Sequence, residues 1–88
     1  MKLKEGFITY AAGEEHILTA AGSAAAHFRG IARSNATAAF IIDSLKQETT
    51  ADEITDRLFE RYDAPRDVIY RDVLRELELL RSIGALDE

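Results

Sequence analysis

The chain has 88 residues, is 47% hydrophobic and 31% charged, contains no cysteine and carries a net charge of −5. This composition suits one small folded domain with a modest core, and excludes disulfides, thiolate metal sites and a disordered tail. The acidic balance also disfavours a general nucleic-acid binder, whose affinity comes largely from neutralising phosphates.

Two stretches rich in β-branched and aromatic residues, Phe7–Ala12 and Glu15–Ala20, predict strands around a turn at Gly13-Glu14, where glycine supplies a positive φ at little cost. Neither alternates cleanly enough to assign faces. Gly22-Ser23-Ala24-Ala25 reads as a loop. From His27 to Arg33, the residues Phe28, Gly30 and Ala32 alternate with Arg29, Ile31 and Arg33, which predicts a third strand. Gly30 weakens that strand's own packing and permits another backbone to approach closely, as a bulge or as a docking edge.

Asn35 is a suitable N-cap for a first helix over Ala36–Lys46, with Ala38, Ile41, Ile42 and Leu45 on one face and Phe40 off it. Thr50-Ala51-Asp52-Glu53 is a capping box, so a second helix starts there and runs to about Arg61 with a stripe of Ile54, Leu58 and Tyr62. Pro65 suits the opening of a third helix, because its missing amide hydrogen does no harm there. In that helix Ile69, Val73, Leu77 and Leu80 fall on one face, with Tyr70 and Leu74 widening it on one side and Leu79 and Ile83 on the other. Gly84 ends the helix and Leu86 is placed to fold back after the cap. This apolar face is wider than one neighbour can cover, so part of it is available to a partner.

Strands first and helices afterwards predict an α+β domain, a three-stranded antiparallel sheet followed by three helices (βββααα), forming a single domain over residues 1–88. No apolar run approaches the roughly 20 residues of a membrane span, and Met1 to Gly6 lacks the apolar segment of a signal peptide, so a cytoplasmic protein is expected. There is no phosphate-binding glycine loop and no nucleophile elbow, and His16 and His27 lack a clustered set of acids that would make them metal ligands. No cofactor, metal or catalytic residue is expected. On the last helix the arginines and acids make a mixed polar side that fits either an ordinary solvated surface or, through the arginines flanking Tyr70 and Leu74, the steering of an acidic peptide.

Taken together, Asn35 after the Phe28–Ile31 strand, Thr50-Ala51-Asp52-Glu53-Ile54 followed by Phe59, Tyr62 and Asp63, and Asp72-Val73, Leu77, Leu80 and Gly84-Ala85-Leu86 resemble the PqqD-like proteins, also called RiPP precursor peptide recognition elements. Ser34 departs from the large apolar residue common there. The resemblance covers nearly the whole chain, most specifically residues 28 to 86. It implies a non-catalytic, winged-helix-like domain that binds the leader segment of a ribosomally synthesised precursor peptide and presents it to a modifying enzyme, often a radical SAM enzyme. By position, the leader would add as a strand to Phe28, Arg29, Gly30, Ile31, Ala32 and Arg33. Its side chains would enter a groove walled by Arg66, Ile69, Tyr70, Val73 and Leu74. Two other classes fit the same layout: a winged-helix DNA-binding module, which the acidic charge opposes, and an oligomerisation module that uses the surplus apolar face on itself.

Overall fold

The computed structural model describes residues 1–13, 15–22, 25 and 31–88. Its elements run β1 (Lys2–Leu3), β2 (Phe7–Ala12), β3 (Glu15–Ala20), β4 (Ile31–Ser34), α1 (Ala36–Ser44), α2 (Ala51–Arg61), α3 (Arg66–Ser82) and β5 (Leu86–Asp87). The expected α+β order is present, and β2, β3 and β4 form an antiparallel sheet in that spatial order. Glu14, Ser23, Ala24, His27, Phe28, Arg29 and Gly30 lie outside the described residues. Part of the first turn, of the loop and of the third strand as read from the sequence therefore falls there.

The β2–β3 register assigns the faces that the sequence left open. Phe7 pairs with Ala20 and Thr9 with Leu18, while Ile8 pairs with Thr19 and Tyr10 with Ile17. Directly opposed residues share a face. Phe7 and Leu18 belong to the core, whereas Ile8 and Tyr10 are exposed. Gly13 has φ 65°, the positive angle expected of the turn.

The helices are bounded by the caps that their sequences announce. Asn35 Oδ1 accepts from the Ala38 amide at 2.8 Å, and Thr50 Oγ1 accepts from the Glu53 amide at 3.2 Å. Helix α1 stops at Ser44, two residues short of the expected Lys46, because its last turn tightens: the Leu45 and Lys46 amides donate three residues back, to Ile42 and Asp43. Helix α3 ends in a Schellman arrangement. The Ala85 amide donates to Leu80 O at 2.9 Å and the Gly84 amide to Arg81 O at 3.0 Å, with Gly84 at φ 73°. Pro65 is the N-cap of α3, one position earlier than expected, with its own ψ of 140° still extended.

The expected stripes converge on one core: Ile41, Ile42 and Leu45 from α1, Ile54 and Leu58 from α2, and Ile69, Val73, Leu77 and Leu80 from α3. Tyr62 departs from its stripe and is exposed. As the α2 C-cap it has an extended backbone, φ −117° and ψ 138°, which takes its side chain off the helical face.

The ribbon of β1 and β5, with Lys2 opposite Asp87 and Leu3 opposite Leu86, has no counterpart in the sequence reading. It joins the two ends of the described chain to the helical layer. The Lys4 amide donates to Ala85 O at 2.7 Å, the Leu3 amide to Leu45 O at 2.8 Å and the Thr49 amide to Met1 O at 2.9 Å. Leu86 does fold back after the cap, as a paired strand residue in the core.

Candidate functional site

β4 is an outer strand of its sheet. Its pairing to β3 places Ile31 opposite Thr19 and Ser34 opposite His16, and no described strand pairs with its other side. Such an edge presents alternate amides and carbonyls ready for another strand. Of the six residues expected to dock a peptide, Ile31, Ala32 and Arg33 are in β4, whereas Phe28, Arg29 and Gly30 lie outside the described residues.

The five residues expected on the groove wall divide by depth and by side. Ile69 and Val73 are buried in the core. Leu74 is 42% exposed and Tyr70 is half-buried. Arg66 is turned toward α2: its Nη2 donates to Asp56 Oδ1 at 2.7 Å, its Nε to the same oxygen at 3.2 Å, and Asp52 lies 3.8 Å away. These carboxylates hold the guanidinium pKa above its ordinary value, the hydrogen bond to Asp56 contributing most. Residues four apart stack on one side of a helix. The Arg66–Tyr70–Leu74 row therefore starts on the α2 side of α3 and ends at the exposed Leu74.

The opposite flank of α3 faces the start of α1. There Asp72, Arg75 and Glu76 form one wall of a cleft of about 240 Å³, and Asn35, Thr37, Ala38 and Ile41 form the other. Asn35 directly follows Ser34, so the cleft opens at the end of β4. Asp72 and Arg75 form an ion pair across 3.4 Å. Glu76 is half-buried, and burial pushes its carboxyl pKa above the ordinary 4.5 by disfavouring the charged form. By sequence Asp72 and Glu76, four apart and one step off the core stripe, fit the mixed polar side of the helix, where acids are ordinary, and nothing local marks them as lining a cleft.

A second cleft, of about 380 Å³, lies between the β2–β3 hairpin and α1, and Tyr10, His16, Ile17, Phe40 and Lys46 are among its lining residues. Arg61 stacks over the Phe40 ring at 4.8 Å, so this aromatic is also engaged by a cation. Among the described residues no group of His, Asp and Glu could hold a metal ion, and no helix is long and apolar enough to cross a membrane.

The family described as Coenzyme PQQ synthesis protein D (PqqD) matches residues 15–86, which include β3, β4 and all three helices. The chain belongs to this family, whose members are non-catalytic peptide-binding proteins. Among solved structures, the fold is similar to that of TbiB1 in complex with the TbiA(beta) leader peptide, with a TM-score of 0.80 at 20% identity over 99% of this chain and 95% of that one. No curated protein sequence matches the chain.

Proposed function

We propose that this protein binds the leader segment of a ribosomally synthesised precursor peptide by strand addition, and holds it for a modifying enzyme in the cytoplasm. The observation that carries this reading is the side of β4 that no described strand pairs with, at a strand that ends at a cleft between α1 and α3. Main-chain hydrogen bonds to such an edge bind many sequences, and pockets beside it choose among them. The family membership and the leader peptide held by TbiB1 support the same reading.

Within the proposed site the peptide backbone pairs along residues 28–34, and the wall is the Asp72–Glu76 flank of α3, facing Ala38 and Ile41 of α1. Tyr70 and Leu74 border the opposite flank with Arg66. Strand addition needs no ionisable group of the protein to change state, which suits a chain without a catalytic constellation.

The test is a titration of 15N-labelled protein with a synthetic peptide for the N-terminal half of a short precursor encoded beside its gene. Amide shifts are expected at residues 28–36 and 72–76. Methylating alternate backbone nitrogens of the peptide should abolish binding, because those amides donate to the strand. Shifts confined to α2 and to residues 66, 70 and 74 would move the site to the other flank of α3.

A further inference from the structure

We propose that the cleft at the end of β4 selects its peptide through a basic side chain, a Lys or Arg of the added strand that pairs with Glu76. This rests on the strand-addition reading and names the residue class that the site prefers.

The charges around the cleft are unequally satisfied. Asp72 and Arg75 are engaged with each other at 3.4 Å, so together they present little net charge. α1 contributes only Asn35, Thr37, Ala38 and Ile41, none of them charged. The Asn35 side chain already serves the Ala38 amide, leaving that donor of the helix start with no demand on Glu76. Among the described residues Glu76 makes no hydrogen bond or ion pair, although it is half-buried. A carboxylate partly removed from water without a partner is costly, and a cation brought into the cleft relieves that cost. Lys and Arg also have aliphatic stems that can lie along apolar surface while the head stays polar, and Ala38 and Ile41 form such a surface. The overall charge of −5 favours the approach of a cationic segment as well.

The inference reverses the acidic preference expected from the arginines of α3. Arg66 is held by Asp56 on the α2 side, and Arg75 is held by Asp72. Among the described residues, the charge left to meet a ligand in the cleft is negative. Because Asn35 follows β4 directly, the basic residue belongs at the end of the added strand that lies next to Ser34.

The experiment uses a displayed library of random dodecapeptides, selected in parallel on the wild-type protein, Glu76→Gln and Glu76→Lys. The wild-type pool should show Lys or Arg enriched about fivefold at one position, the size of a partly desolvated ion pair worth about 1 kcal/mol. Glu76→Gln should lose that enrichment while still selecting extended apolar peptides, and Glu76→Lys should replace it by Asp or Glu. Amide spectra of both variants establish that they remain folded. A peptide from the wild-type pool should shift the amides of residues 31–36 and 76. Peptides that shift β4 but show no basic preference, or keep it in Glu76→Gln, overturn this inference and leave strand addition standing. Pools that shift no amide of β4, or no enrichment on any of the three proteins, overturn both.

Discussion

Leu77 and Leu79 lie two residues apart on α3 and should respond to truncation in opposite ways. Leu77 is 2% exposed and part of the central cluster, whereas Leu79 is 57% exposed. Leu77→Ala removes three buried carbon atoms, about 2.4 kcal/mol of transfer free energy at roughly 0.8 kcal/mol per carbon. A residual cavity adds to this, and buried Leu→Ala substitutions as a class cost about 3–5 kcal/mol. A domain of this size has a total stability of about 4–13 kcal/mol. The substitution should therefore lower the urea midpoint by about 2 M or more, or leave the domain partly unfolded in buffer. Leu79→Ala should stay within about 0.5 kcal/mol. Urea denaturation followed by circular dichroism, with m held common, measures both. Equal midpoint shifts for the two variants would refute the orientation of α3, and with it the flank assigned to the cleft.

Gly84→Ala should destabilise by about 1–2 kcal/mol, because alanine must adopt the positive φ of 73° that the helix end requires; an unchanged melting temperature would show that the cap relaxes. Thr49 Oγ1 is buried with no partner among the described residues, so Thr49→Val should be neutral or stabilising by about 1 kcal/mol, and a loss in the denaturant midpoint would reveal a hidden partner. Glu76 has its folded-state pKa raised by burial, so the stability linked to its protonation is present below the ordinary 4.5 and is lost as pH rises through the folded value. Wild type should accordingly fall behind Glu76→Gln in thermal stability as pH rises from 4.5 and then run parallel to it; a difference that is constant with pH would contradict the burial of that carboxyl. Asn35→Ala should cost about 1 kcal/mol through loss of the bond to the Ala38 amide, measured in the same denaturation assay.

Local chemistry carries most of the helical half of this protein. Asn35, the Thr50–Glu53 box and Gly84 mark helix ends because each supplies a partner or a backbone angle that the neighbouring amides and carbonyls need within three or four residues. The stripe of Ile69, Val73, Leu77 and Leu80 is legible because helical periodicity places them together whatever they pack against, and all four are in the core. Likewise the order of strands before helices announces the α+β class before any contact is known.

What lies between distant residues was settled only in three dimensions. Two-residue strands have no period, so the β1–β5 ribbon exists through bonds such as Lys4 to Ala85 that join residues far apart in the chain. Tyr62 keeps helical spacing in the sequence, yet the extended cap turns it away from the core. The width of the α3 face signalled surplus surface without saying which flank would be covered. Packing placed Arg66 beside α2, where Asp56 holds it, and it placed Asp72 and Glu76 across from α1 at the end of β4. A helical pattern specifies angles about its own axis, and only neighbouring elements turn those angles into a core, a cleft or open surface.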